Sequence, residues 1–313
     1  MTLTLAIDVG GTKISVGLIN EAYQITRQIR FDSGRGIPRL RRTLRQVVDW
    51  VTPDLVTSIA VATPGKLIGI NQMTLAPNTA QNLNAYPGEF DHFDWDTMIH
   101  DVFGNGITAF LINDALAQMA GGLMDLNLQL PLTPLLIGYL GPGTGLGGGC
   151  VEQLTDGQLR FLTDGHFFDI LLPRDPEDIW SAQGEWVMAE DVISGRGFYD
   201  ITGISLAECC QSAQLSARYA SLITCFGRYL GQLIATIHSG KFSKKYAEYQ
   251  WPIWDLNVVS RITTWVIGGS VGPLLIPAAT EWLSAHQIPA HLHIIPNGAE
   301  AALRGVVYAR NMT

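Results

Sequence analysis

LAIDVGGTKISVGLI, Leu5 to Ile19, is an apolar strand that runs into Gly10-Gly11-Thr12 and then resumes as a second alternating strand. A glycine-rich phosphate loop is usually followed by a helix; here a hairpin takes its place. Glycines in a tight β-turn let the main chain approach an anion and present its N–H groups, as a helix N-terminus does. The stretch is therefore a candidate phosphate turn without being a P-loop, and the string GxxxxGK[ST] is absent from the chain.

The same arrangement returns in LLIGYLGPGTGLGGGCVE, Leu135 to Glu152, an apolar strand that enters a glycine turn and leaves as a short strand. Gly143, Gly145 and Gly148 satisfy GxGxxG, but Cys150-Val151-Glu152 open no helix, which argues against a dinucleotide-binding turn. A third glycine pair, Gly268-Gly269, lies between an apolar strand and a helix in TTWVIGGSVGPLLIPAATEWL. Two strand–glycine turn–strand units, one in each half and the first carrying Asp8, predict two related lobes that close on a nucleotide.

Composition sets the limits around this reading. At 313 residues and 47% hydrophobic content the chain can bury a large core, and its length favours two domains. The net charge of −8, from 28 acidic against 20 basic residues, gives little support to a nucleic-acid-coating or membrane-surface protein and suits small-molecule chemistry better. Arg39, Arg41, Arg42 and Arg45 share helical spacing with Ile37, Leu40, Leu44, Val47, Val48 and Val51, so they are read as a solvated helix face. No 18-residue apolar run lacks a charge or strong polar group, and Asp8 interrupts any signal-peptide core, so a cytoplasmic protein is expected. Cys150, Cys209, Cys210 and Cys225 contain no CxxC pair and read as reduced thiols.

The organisation is α/β throughout. A strand ending near Ile112 leads into a helix for which Asn113 or Asp114 is the N-cap, setting polar side chains at a strand's C-terminal end. Ser205 to His238 reads as one long helix, Lys241 to Asp255 as an exposed insertion or flap, and the chain closes with the strand HLHIIP and the helix GAEAALRGVVYA.

DVGGTK (Asp8 to Lys13), NDALAQMAGG (Asn113 to Gly122), GTGLGGG (Gly143 to Gly149) and VIGGSVG (Val266 to Gly272) resemble the ordered motifs of the ROK family of sugar kinases. VATPG, APNT and GAEAALRG also fall where that family places similar strings, so the resemblance spans nearly the whole chain. It implies a two-lobed, actin-like ATPase (ribonuclease H-like) α/β fold with an interlobe cleft: a smaller lobe of residues 1–112 plus 298–313 and a larger lobe of 113–297. It implies ATP and Mg2+ as cofactors, a small-molecule sugar as partner, and a homodimer; neither nucleic acid nor membrane is expected.

Sugar phosphorylation requires a base beside the acceptor hydroxyl, donors to spread the γ-phosphate charge, and magnesium. The resemblance assigns the base to Asp114 and sugar contacts to Asn113 and Asn78. It assigns Asp8 to Mg2+ through water, since magnesium keeps several waters and takes few protein carboxylates. Gly10, Gly11, Thr12 and Lys13, with Thr144 and Gly145, are implied phosphate contacts, and Gly268 and Gly269 a resting place for the adenosine. TDGHFFD resembles the ExGH motif through Gly165-His166, giving His166 as a sugar contact, and MAEDVISGRGF gives Glu190.

The chain departs from the family pattern twice. Thr163 stands where ExGH has glutamate, and the neighbouring acid is Asp164, so either residue is open as its substitute. Many ROK proteins carry CxCGxxGC, whose cysteines join the GH histidine on zinc; here PRDPEDIWSAQGEW stands instead, so no zinc is expected, packing by Trp180 and Trp186 is expected to replace it, and the chain is similar to zinc-free glucokinase relatives. The expected activity is transfer of the γ-phosphoryl group of ATP to a hexose hydroxyl, the primary 6-OH of a glucose-like sugar first. Glucose, mannose, fructose, N-acetylmannosamine and N-acetylglucosamine all remain open. The alternatives are a non-catalytic sugar sensor or degenerate scaffold, since ROK relatives include repressors with an N-terminal helix-turn-helix where this chain begins with a strand, and an actin-like ATPase that acts without sugar.

Overall fold

The computed structural model describes residues 3–51, 56–69, 71–75, 77–126, 133–180, 184–246, 256–295 and 298–313. The chain divides into two units: Met1–Asn127 with Asn297–Thr313, and Leu128–Pro296. In order, the first runs through β1 (Leu3–Val9), β2 (Lys13–Ile19), β3 (Ile25–Asp32), α1 (Ile37–Trp50), β4 (Val56–Thr63), β5 (Lys66–Gly69), β6 (Gln72–Thr74), α2 (Pro77–Leu83), β7 (Phe93–Asp94), α3 (Trp95–Phe103), β8 (Thr108–Asn113) and α4 (Asp114–Leu126). The second contains β9 (Leu135–Pro142), β10 (Leu146–Gln153), β11 (Leu159–Phe161), β12 (Leu171–Pro173), β13 (Trp186–Met188), α5 (Ala189–Ile193), α6 (Gly195–Thr202), α7 (Leu206–Gln211), α8 (Ala213–His238), α9 (Leu256–Val259), β14 (Thr264–Ile267), α10 (Gly272–Ala285) and β15 (His291–Ile294). The chain then returns to the first unit as α11 (Gly298–Met312).

Each unit is built on a five-stranded sheet of the same design. The first has the order β3-β2-β1-β4-β8 and the second β11-β10-β9-β14-β15. In both, the first strand pairs antiparallel with its hairpin partner on one side and parallel with a later strand on the other. The repeat read from the two glycine turns is thus a repeat of topology, and Gly143 to Gly148 opens β10, a strand, rather than a helix.

The central strands are apolar because helices or other elements cover both their faces. Leu5, Ala6 and Ile7 are fully buried, as are Tyr139 and Leu140 in β9. Helix α1 buries Leu40, Leu44 and Val47, and the arginines lie off that stripe: Arg42 and Arg45 are exposed and Arg41 pairs with Asp101 at 3.1 Å. Among the described residues no helix is long and apolar enough to cross a membrane.

Helix α4, which a boundary after residue 112 assigns to the larger lobe, falls in the first unit. Its glycines explain why. A Cβ at Gly121 would land on the carbonyl oxygen of Ala301, and one at Gly305 on that of Ala117, so α4 and α11 touch backbone to backbone. Arg304 adds an ion pair to Asp125 at 2.7 Å.

The single helix expected from Ser205 to His238 is two. Ser205 and Glu208 form a capping box for α7, and Ser212 then caps α8 by accepting from the Leu215 amide at 3.3 Å. The serine side chain offers the Leu215 amide a partner in place of a helical carbonyl, which favours a helix start there.

In the described part of the segment standing in place of the cysteine motif, Trp180 is partly buried and polar contacts hold the loop. Trp186 is 59% exposed. Asp175 and Asp178 are buried instead, Asp175 receiving Arg228 Nε at 2.9 Å and Asp178 the Tyr229 hydroxyl at 2.6 Å, while that hydroxyl accepts from the Asp175 amide at 3.0 Å. Consecutive α8 residues thereby pin the loop.

Two outcomes follow from this packing. Burial pushes the thiols of Cys150 and Cys225 up to about 12 and raises that of Cys209, whereas Cys210 is exposed. Thiolate is the reactive form, so titration with a thiol reagent at pH 8 should find a single fast-reacting cysteine in the native protein and all four after denaturation. Gly305→Ala should destabilise the first unit by about 1–3 kcal/mol, the usual cost of overpacking, measured by urea unfolding; unchanged stability would show that the two helices can move apart.

Candidate active site

The first unit gathers its polar groups at one sheet edge. Strands β1, β4 and β8 run parallel, with Asp8 opposite Ala62 and Ala62 opposite Ile112, so Asp8 and the Asn113-Asp114 pair leave the sheet at the same C-terminal end. That end is where open α/β sheets bind ligands. Asp8 is half-buried. Burial pushes its carboxyl up to about 7, the charge of Asp114 adds to the rise, and Arg30 opposes it.

Asn113 is buried and committed to the local frame: its Oδ1 accepts from the Ala115 amide at 2.9 Å and its Nδ2 donates to the Gly65 carbonyl at 3.1 Å. Asp114 Oδ1 also accepts from the Ala115 amide, at 2.9 Å, so both residues take part in capping α4. Gly65, at φ 108°, is where VATPG folds back to receive that amide.

The Gly10-Gly11-Thr12 turn is closed by the Gly10 amide donating to the Lys13 carbonyl at 2.8 Å. Thr12 and Lys13 are exposed. Sequence reasoning missed the residue that braces this turn. Ser33, buried at the end of β3, donates its hydroxyl to the Gly10 carbonyl at 2.7 Å and its amide to the Thr12 carbonyl at 3.1 Å. The only local signal was a Ser-Gly pair after a strand, which reads as an ordinary turn. Asn78 lies in α2, and its side chain is outside the described residues.

In the second unit the two remaining glycine turns meet. Gly269, at φ 68°, sits so close to Pro142 that a Cβ would land on its carbonyl oxygen, and the Val271 amide donates to that oxygen at 2.9 Å. The Gly143–Gly145 turn is held from α6, where the amides of Gly195 and Arg196 donate to the carbonyls of Gly143 and Thr144 at 2.7 and 3.0 Å. Thr144 is exposed.

His166 and Glu190 are both buried and belong to one web. Glu190 accepts from the Leu146 amide at 3.0 Å, beside Gly145, and its own amide donates to the Phe168 carbonyl at 3.0 Å. Thr163 is occupied: its hydroxyl accepts from the Cys150 amide at 3.0 Å. Asp164 instead faces His166, with Oδ1 3.2 Å from Nδ1 and accepting from the His166 amide at 3.4 Å. The Lys241 to Asp255 segment is described only to residue 246, and within that stretch Lys244 turns its ammonium inward instead of into solvent. Residues 247–255 lie outside the described residues.

Among the described residues no cluster of three or more histidine, cysteine, aspartate or glutamate side chains is placed to hold a metal ion. Asp8 and Asp114, two carboxylates close enough to couple, fit an ion that takes one or two carboxylates and completes its shell with water and phosphate.

No protein-family profile matches the sequence, and no curated protein matches it. Solved structures do. A ROK hexokinase from Thermus thermophilus is 20% identical, with 98% of this chain and 97% of that chain covered and a TM-score of 0.64. A ROK family glucokinase from Streptomyces griseus, solved with glucose and AMPPNP, is 18% identical over 99% of each chain, with a TM-score of 0.66. A ROK family transcriptional regulator, a homologue of the E. coli MLC protein, is 16% identical over 99% of this chain and 78% of that one, with a TM-score of 0.67. At such identities the likeness is one of fold: this chain has the two-unit, actin-like α/β fold of the ROK sugar kinases and their relatives.

Proposed function

We propose that the protein is an ATP-dependent sugar kinase that transfers the γ-phosphoryl group of ATP to a hydroxyl of a hexose, with the primary 6-OH of a glucose-like sugar as the leading acceptor. One observation carries this reading: Asp8 and Asp114 are electrostatically coupled at the same sheet edge, beside a braced glycine turn. An N-cap alone needs no second carboxylate, whereas phosphoryl transfer needs both a metal-linked carboxylate and a base.

In this reading the acceptor hydroxyl gives its proton to Asp114, its oxygen attacks the γ-phosphorus, and the bond to the bridging oxygen breaks to release ADP. Asn113 holds the VATPG turn against the base and, with Asn78, borders the sugar. Gly10, Gly11 and Thr12, with Lys13 at the exposed rim, receive phosphate oxygens. Thr144 and Gly145 form the second phosphate turn, and Gly268 and Gly269 give the nucleoside a flat backbone. Asp8 would hold Mg2+ through water; the ion would screen the phosphate charge.

Asp164 is the residue we assign to the role of the missing glutamate, because Thr163 is already bonded to Cys150. Its Oδ1 lies 3.2 Å from His166 Nδ1 and thereby orients the imidazole toward the sugar. The fold shared with a ROK regulator supports a second reading, a sugar sensor without catalysis. Sugar-dependent turnover separates the two.

The measurement is ADP release from ATP and magnesium against a panel of hexoses and hexosamines. One or more sugars should raise the rate, and Asp114→Asn should lower kcat by roughly 100- to 10,000-fold, the usual weight of a general base. Sugar binding without turnover would establish the sensor instead. Asp164→Asn should raise KM for the sugar by about tenfold, the value of one charged hydrogen bond, and leave KM for ATP unchanged; equal effects on both would remove Asp164 from the sugar site.

A further inference from the structure

The second unit contains a charge pair that the proposed chemistry does not use. The Lys244 side chain is 5% exposed and that of Asp169 is not exposed at all, and Nζ lies 3.0 Å from Asp169 Oδ1. The same ammonium donates to the carbonyl of His166 at 3.0 Å. It therefore grips two points of one turn, the carbonyl at its start and the carboxylate three residues on.

The neighbouring backbone reinforces this grip. Asp169 Oδ2 accepts from the Tyr246 amide at 3.2 Å, its carbonyl accepts from the Lys245 amide at 2.8 Å, and the Leu171 amide donates to the Ser243 carbonyl at 2.9 Å. On the other side, the Ala189 and Glu190 amides donate to the carbonyls of Ile170 and Phe168 at 2.9 and 3.0 Å. Residues 166–171 thus lie between the 243–246 strip and the start of α5, and Glu190 in turn accepts from the Leu146 amide.

A pair this deep is weak evidence for stability. Desolvating two charges offsets most of their attraction, and apolar residues of similar volume often fold as well or better. Burial pushes the Asp169 carboxyl up while the Lys244 charge pulls against it, the upward push being the larger. What an apolar replacement cannot supply is the donor to the His166 carbonyl, and with it the position of the imidazole relative to Glu190.

We propose that Lys244 is a positioning residue for the sugar site: from inside the 166–171 turn it sets His166 in register with Glu190. This rests on reading His166 and Glu190 as sugar contacts of a kinase. The strip from Lys241 to Tyr246 is then a strap on the acceptor side.

The test compares wild type with Lys244→Met, Lys244→Arg and the double variant Asp169→Leu/Lys244→Met. Each is followed by circular dichroism and by KM for ATP and for the sugar giving the largest wild-type rate. Lys244→Met should raise the sugar KM about tenfold or more, the value of a charged hydrogen bond, with ATP KM unchanged, and Lys244→Arg should recover part of the loss. Lys244→Met leaves Asp169 buried without its cation, which costs folding stability; the double variant removes both charges and should fold, yet keep the raised sugar KM. A folded double variant with wild-type sugar KM would overturn the proposal, as would loss of folding in both methionine variants or equal rises in the two KM values. A wild-type protein with no sugar-dependent ADP release would instead remove the kinase reading, and this proposal with it.

Discussion

A strand that leads a sheet as half of an antiparallel hairpin, and pairs on its other side with parallel strands, brings its C-terminal end to the edge where theirs also finish. That constraint underlies the candidate site. It sets Asp8, at the end of β1, on the same rim as Asn113 and Asp114 at the end of β8, although more than a hundred residues separate them in sequence. The turn that closes the hairpin must stay on that rim, and Ser33 secures it by occupying the Gly10 and Thr12 carbonyls from behind. The second sheet obeys the same rule, so the Gly143–Gly145 and Gly268–Gly269 turns emerge together, with Gly269 pressed onto Pro142.

Close backbone contact serves a second purpose where α4 meets α11. Helices usually pack with axes 8–10 Å apart, the spacing being set by side chains at the contact; Gly121 and Gly305 remove those side chains. The helix that begins at Asp114 is thereby tied to the last helix of the chain, which also packs on the sheet bearing Asp8. The base and the metal-linked carboxylate of the proposed mechanism then share one rigid foundation.

The second unit uses buried charge where an apolar or metal-bound core would otherwise serve. Asp175 and Asp178 are held by Arg228 and Tyr229 and by the amides of Glu177 and Trp180, and Asp169 by the Lys244 ion pair and the Tyr246 amide. Pairs satisfied in this way specify geometry, because partly made networks leave costly unpaired groups. Lys244 lies in the segment that sequence patterning read as an exposed insertion, and Asp175 and Asp178 in the one expected to be packed by tryptophans. Hydrophobic periodicity cannot announce them, since a lysine that will be buried and one that will be solvated look alike until the opposing carboxylate is in place.

Strand alternation, turn chemistry and helix caps act over a few residues, so the α/β class and the positions of the glycine turns could be read directly from the chain. The resemblance of its motifs to those of the ROK family also marked Asp8, Asn113, Asp114, His166 and Glu190 as candidates. Tertiary structure decided which candidates stand together: Asp8 with Asp114, Thr163 with Cys150, Asp164 with His166, and Glu190 with the second glycine turn. It also decided what holds them, in Ser33, Lys244 and the Arg228-Tyr229 pair. Those pairings depend on distances between residues remote in the chain, which only strand register and helix packing establish.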